Sequence, residues 1–180
     1  MKSALIGYTG VIGSILKDSM QFDSYYNSKS IEMLQDEFDL VVCAAPSGNR
    51  LAANQSPDQD RDSILKILAA LVRSRAKKII LISTVDTINF PDTAYGSNRR
   101  WLENYVKYNF PSYHIVRLCS LIGKTITKNP LYDLKHKKYV EKINRKNIIH
   151  WYPLENLHND LELVVKHNIK EINLTSEPIQ

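Results

Sequence analysis

Ser3-Ala4-Leu5-Ile6-Gly7-Tyr8-Thr9-Gly10-Val11-Ile12-Gly13-Ser14-Ile15-Leu16 is the stretch whose reading decides the fold. Small and apolar residues at 3–6 make a short buried strand. Glycines then fall at 7, 10 and 13, and an apolar run resumes at helical spacing. This is the order strand, tight turn, helix N-terminus. A first glycine lets the backbone turn sharply, a second lets it approach a pyrophosphate, and a third lets helix pack close on strand. The helix opening at Val11 and Ile12 points free N–H groups and the positive end of its dipole at the turn. Thr9, Val11 and Ile12 thus join Gly7, Gly10 and Gly13 as a candidate phosphate cradle. Three glycines can also form an ordinary tight loop, but their position directly after an N-terminal strand favours nucleotide binding.

With 180 residues and 43% hydrophobic content, the chain is expected to form one globular domain with a full core. No run approaches the ~20 apolar residues of a membrane span. Met1-Lys2 leads straight into the first strand, leaving no room for a signal peptide, so a cytoplasmic protein is expected. Cys43 and Cys119 lie in apolar segments and read as reduced packing residues. The five histidines are dispersed without metal-ligand spacing, so no metal site is expected. The net charge of +5 includes the run Lys135, Lys137, Lys138, Lys142, Arg145, Lys146. Such a run is usually a solvated helical face. Nucleic-acid binding is disfavoured because only Tyr139 and His136 interleave rings with it. An anionic small molecule, such as a nucleotide diphosphate, would use the same charge.

Along the chain, Val11 to Met20 reads as a helix and Phe22 to Asn27 as a second strand. In a dinucleotide fold the end of that strand lies beside the adenosine ribose. Here it offers Asn27, Ser28 and Lys29 with no carboxylate, which leans toward NADP over NAD, although Asp23 begins the same strand. Ser30 to Glu37 reads as a short helix. Phe38 to Ala45 is a strand without alternation, as a parallel sheet buried on both faces requires. It ends in Ala44-Ala45-Pro46, small enough to leave space for a cofactor's ribose and adenine. Pro46 to Arg61 reads as a polar loop, and Ile64 to Ser74 as a helix capped by Asp62 or Ser63. Lys77 to Ile82 is the next strand, followed by Ser83 and Thr84, hydroxyls at the strand end where open α/β sheets place their chemistry. Tyr95 and Arg99, four apart, share one face at the head of a helix. A fixed cation there favours the phenolate and suits a general acid/base, although a surface Tyr stacked on Arg has the same spacing. Tyr113 to Leu118 is a strand, Ser120 to Lys124 a loop, and 129–146 a polar stretch of short helices. Asn147 to Tyr152 reads as a strand, Leu154 to His167 as a helix and Glu171 to Leu174 as a last strand.

Gly7-x-x-Gly10-x-Ile12-Gly13-Ser14, the strand end Ala44-Ala45, then Ser83-Thr84, Tyr95-Gly96-Ser97-Asn98-Arg99 and Arg117-Leu118 before Gly123 come in an order that resembles the extended short-chain dehydrogenase/reductases. These are the NAD(P)-dependent epimerases, dehydratases and reductases of nucleotide-activated sugars. The resemblance covers residues 3–123 and, more loosely, the last helix and strand. It implies a trimmed three-layer Rossmann fold with a doubly wound parallel sheet and a small or missing substrate lobe, with either 124–150 as a reduced lobe or a partner subunit completing the protein, and a homodimer compatible with the pattern. It also implies that Thr84, with Ser83 second, polarises the substrate oxygen while Tyr95 exchanges its proton. The family's ribose-binding lysine falls on Arg99, a departure in head-group geometry, and the Thr84–Tyr95 spacing is short for the extended type. A non-catalytic dinucleotide-binding sensor or scaffold is the alternative.

Overall fold

The computed structural model describes residues 1–127, 129–138, 140–142, 144 and 148–179. Arg145, Lys146 and Tyr139 of the basic run, and Asn147 of the expected strand, lie outside them.

The first half of the chain gives β1 (Ser3–Ile6), α1 (Val11–Ser19), β2 (Ser24–Tyr26), β3 (Leu40–Cys43), α2 (Arg50–Gln55) and α3 (Pro57–Arg73). The second gives β4 (Lys78–Thr84), α4 (Asp86–Asn89), α5 (Ala94–Asn109), β5 (Tyr113–Leu118), β6 (Ser120–Ile122), α6 (Pro130–Lys135), β7 (Ile149–Pro153), α7 (Leu157–Lys166), β8 (Glu171–Leu174) and β9 (Pro178–Ile179). Six strands form one sheet in the order β2-β1-β3-β4-β5-β8, every pairing parallel. β1 has β2 on one side and β3 on the other. The chain therefore winds outward in both directions from β1, and the switch point lies between β1 and β3. Only β2 lies outward of β1 on its side, so that half of the sheet is trimmed.

Strand alternation splits the core in two. Ala4, Ile6, Val41, Cys43, Ile79, Leu81 and Ile115 face α3 and α5, meeting Ile64, Leu68, Leu71, Leu102 and Val106. Leu5, Val42, Ile80, Ile82, Val116 and Leu118 face the other way, onto Leu16 of α1 and Leu157, Leu161 and Val164 of α7. The result is the three-layer arrangement expected from the unalternating strands. A second sheet, β6-β7-β9, lies beside it.

Three expectations are corrected. The helix read over Ser30 to Glu37 is only a 3₁₀ turn, Ile31–Met33. The Arg73 guanidinium of α3 donates to the carbonyls of Leu34 and Ile31 at 3.2 and 3.3 Å, where the turn ends. The stretch read as a polar loop is largely helical. Asn49 caps α2 by accepting from the Ala52 N–H at 3.2 Å. α3 starts at Pro57 behind Ser56, with Asp58 and Asp60 in its first turn, as the helix dipole favours. Ser120–Ile122 is a strand, paired in parallel with β7, where a loop was expected.

α5 is fastened to the sheet by a buried ion network. Glu103 accepts three Arg117 N–H bonds at 2.6 to 3.1 Å, and Arg117 also reaches Glu171 of β8 at 2.7 Å. One helix and two strands are thereby held in register. Both cysteines are free, and burial pushes the Cys43 thiol up to about 11, as a packing residue requires.

Candidate functional site

Gly7 follows β1 at φ +88°, and a Cβ there would lie 2.7 Å from the Ala44 carbonyl oxygen. The positive φ and the contact with β3 both require glycine. At Gly13 a Cβ would meet the Gly7 oxygen at 2.0 Å, so α1 can lie this close to the turn only without a side chain. Gly10 is different: its Cβ would find only the Gly7 oxygen, at 3.4 Å. Nothing within the fold demands glycine at position 10, and the residue is exposed between exposed Thr9 and Val11. The first turn of α1 carries no side-chain cap, which leaves its N-terminal end free for an external acceptor. Ala44 and Ala45 form the facing rim, half-buried, with Pro46 next to them. Turn and rim flank the switch point, and the cradle fits a dinucleotide pyrophosphate.

Beside it, Gly7 N–H donates to the Tyr26 carbonyl at 2.7 Å, tying the turn to the end of β2. Asn27 accepts from Lys29 N–H at 2.9 Å and donates to the Tyr8 hydroxyl at 3.2 Å. It braces the turn, and Lys29 is exposed next to it. Asp23 sits at the opposite end of β2, where its carboxylate accepts from Ser3 N–H and Oγ–H at 2.7 and 3.0 Å. Asp23 is thus a structural residue away from the cradle.

The second cluster lies at the carboxyl end of β4. Thr93 caps α5 through Gly96 N–H at 3.1 Å, and Asn54 of α2 accepts the Tyr95 N–H at 2.9 Å. Together these hold the head of α5 so that the buried Tyr95 phenol comes within electrostatic reach of the Thr84 hydroxyl. Thr84 Oγ1 also accepts from Asp86 N–H at 3.2 Å. Ser83, one residue earlier, points to the other face and donates to Glu103 at 2.6 Å. The structure therefore leaves Thr84 near Tyr95 and gives Ser83 to the ion network.

Arg99 is stacked over the Tyr95 ring at 4.4 Å, as the spacing suggested. Both of its terminal nitrogens, however, are held by protein acceptors. The guanidinium is bidentate to Asp60 of α3 at 2.6 and 2.9 Å and donates to the Ser47 carbonyl at 2.6 Å. With 4% exposure it is a buried cation. Burial pushes the Tyr95 phenol above its usual range; Arg99, the Thr84 hydroxyl and Arg50 oppose this, while Asp86 adds to it. The expectation of a lowered phenol is thus reversed, because desolvation outweighs the cation.

Asp86, Arg50, Asn54 and Asp60 belong to this neighbourhood and were not singled out by sequence reasoning. Asp86 is buried and held by Arg50 Nε at 2.7 Å. Burial raises its carboxyl above the usual range, and Arg50 pulls it back only in part. A Ser-Pro-Asp helix start was the available signal that α2 and α3 come together near here. No group of three metal-ligating side chains occurs among the described residues, and no helix among them is long and apolar enough to cross a membrane.

A parallel sheet with its switch point at a glycine turn, and a hydroxyl–phenol pair at a neighbouring strand end, define a dinucleotide-binding fold of the Rossmann class. Solved structures narrow this. The chain is similar to a UDP-N-acetylglucosamine 4-epimerase from Methanobrevibacter ruminantium (TM-score 0.77, 14% identity, 99% of this chain and 77% of that one). It is also similar to a dTDP-4-dehydrorhamnose reductase from Bacillus anthracis in complex with NADP (0.74, 17%, 98% and 75%). A dTDP-glucose 4,6-dehydratase variant from Streptomyces venezuelae, with NAD bound, is a third (0.75, 11%, 97% and 75%). No family model and no curated protein sequence matches the chain. The fold is that of these epimerase, reductase and dehydratase structures, and the chain spans about three quarters of their length.

Proposed function

We propose that the chain binds NAD(P) across the β1–β3 crevice and transfers hydride to or from a nucleotide-activated sugar or a related carbonyl or alcohol. The observation that carries this reading is the placement of Thr84 at the end of β4 and of the buried Tyr95 at the head of α5, on the sheet edge that also bears the glycine turn. Gly7, Thr9, Gly10, Val11, Ile12 and Gly13 would hold the pyrophosphate, and Ala44, Ala45 and Pro46 would line the adenosine side. The absence of a carboxylate in Asn27-Ser28-Lys29 favours NADP. The cofactor, when bound, supplies or accepts the hydride. Thr84 orients the substrate oxygen by hydrogen bonding, and Tyr95 exchanges the proton on that oxygen. With its phenol held above the usual range, Tyr95 is protonated at neutral pH and serves as the acid of the reductive direction. Segment 124–150 serves as a reduced substrate lobe. Exposed Leu65 and Val72 on α3 and Tyr108 on α5 support a homodimer, which light scattering reads directly.

The test is Tyr95→Phe. Turnover of a nucleotide-sugar panel with NADPH or NADH should fall by about 10²–10⁴-fold, with cofactor affinity kept within threefold. Unchanged turnover in that variant removes the enzymatic assignment. One observation favours a second reading, a dinucleotide-binding sensor or scaffold: Arg99 is buried and turns both terminal nitrogens onto Asp60 and Ser47. Cofactor binding by the wild type without turnover of any panel member would select it.

A further inference from the structure

The cation at the family's lysine position is turned inward, yet a second arginine reaches the same neighbourhood. Arg50 stands at the start of α2, one helical turn before Asn54. Asn54 grips the Tyr95 backbone, and Arg50 grips Asp86, whose N–H is bonded to Thr84. α2 therefore spans the Thr84–Tyr95 pair with two side chains from one face. The contrast with Arg99 is in the donors. Arg99 uses both terminal nitrogens on protein acceptors. Arg50 meets Asp86 through Nε, its side chain is 55% exposed, and among the described residues no hydrogen bond engages its terminal nitrogens. The Phe90 ring lies 5.2 Å from the guanidinium carbon and backs the head group. Asp86 is 8% exposed at its side chain, so the anchor is fixed while the fork faces outward.

We propose that Arg50, anchored by Asp86 and backed by Phe90, is the cation that takes the diphosphate of a nucleoside-diphosphate substrate at the mouth of the Thr84–Tyr95 site. A planar guanidinium with free terminal N–H groups matches phosphate oxygens in bidentate geometry. A nucleoside diphosphate is the part of a nucleotide-activated sugar that carries those oxygens. This rests on the reading of function above for its substrate class. Asp86 is then a positioning residue acting through Arg50.

The probe is UDP, titrated by calorimetry into wild type, Arg50→Gln, Arg50→Lys, Asp86→Asn and the Arg50→Gln/Asp86→Asn pair, with and without saturating NADPH. Arg50→Gln should weaken UDP at least tenfold and Arg50→Lys by less, because lysine keeps the charge and loses the fork. Asp86→Asn should also weaken UDP, and the double variant should lose no more than Arg50→Gln alone. In turnover, KM for the sugar nucleotide should rise with kcat within twofold. NADPH affinity should stay within twofold of wild type in every variant. Circular dichroism establishes that each variant is folded, and Arg50→Lys carries the comparison if Arg50→Gln is not. UDP affinity within twofold of wild type in the folded variants overturns the proposal, as does no UDP binding by the wild type. Failure of NADPH to bind the wild type would instead overturn the cofactor reading, and the UDP comparison remains separately readable.

Discussion

Replacing Arg99 by lysine restores the residue type found at this place in the family the sequence resembles, and it should weaken the protein. Arg99 makes three short contacts, two to the Asp60 carboxylate and one to the Ser47 carbonyl. Lysine keeps the charge and one contact but cannot form the fork or reach both acceptors from one head group. At roughly 1.5–3 kcal/mol for each hydrogen bond to a charged group, loss of two gives about 3 kcal/mol at the low end. That corresponds to a fall in Tm of about 6–12 °C for a domain of this size. The assay is urea unfolding of wild type, Arg99→Lys, Asp60→Asn and the double variant. The two single losses should overlap by at least about 1.5 kcal/mol, as expected for one shared contact. If Arg99→Lys is as stable as wild type within about 0.5 kcal/mol, Arg99 is not the structural cation described above.

Gly10→Ala should change the melting temperature little, since its Cβ meets only one atom at 3.4 Å, while NADPH affinity falls at least tenfold by calorimetry; equal affinity removes Gly10 from the cradle. Gly13→Ala should fail to give a stable fold, because its Cβ would sit 2.0 Å from the Gly7 oxygen; a wild-type melt would contradict the packing. His114 is fully buried, its Nε2 has no partner among the described residues, and burial lowers its pKa, with Lys78 and Lys170 adding to the shift against the Ile169 carbonyl. The unfolded chain then binds the proton more readily, so stability is full above pH 6.5 and is lost as pH falls below that value toward the folded one. The slope is at most about 1.4 kcal/mol per pH unit. Urea unfolding from pH 7.5 to 5 should show this slope in wild type and not in His114→Leu; equal slopes would refute it. Glu103→Leu leaves Arg117 buried beside Glu171 alone and should cost about 3–5 kcal/mol; a loss under about 1 kcal/mol would contradict the network.

The parts of the fold with local causes were legible in the sequence. Apolar runs without alternation located the central strands, and glycine spacing located the turn, because both act over a few neighbouring residues. The turn also showed more than spacing can: Gly7 and Gly13 answer to the protein's own backbone, whereas Gly10 faces outward. Arg99 was legible as a cation beside Tyr95, but its partner Asp60 lies 39 residues away, and no periodicity reports such a pairing. The same holds for Glu103 with Arg117, which withdraws Ser83 from the site. α2 was misread as loop because its polar surface hides a helix whose Asn54 and Arg50 work by contact with α5 and Asp86. Thr84 and Tyr95 could be placed at a strand end and a helix start because each leaves a local mark.

Titration of NADPH and NADH into the wild-type protein, followed by quenching of Trp101 and Trp151 and by melting temperature, tests the central claim most directly. The account predicts saturable binding of one or both cofactors with Kd below the order of 1 mM, and stabilisation of about 2.7 kcal/mol at a hundredfold excess over Kd. A folded protein that neither cofactor quenches nor stabilises at that concentration would contradict it.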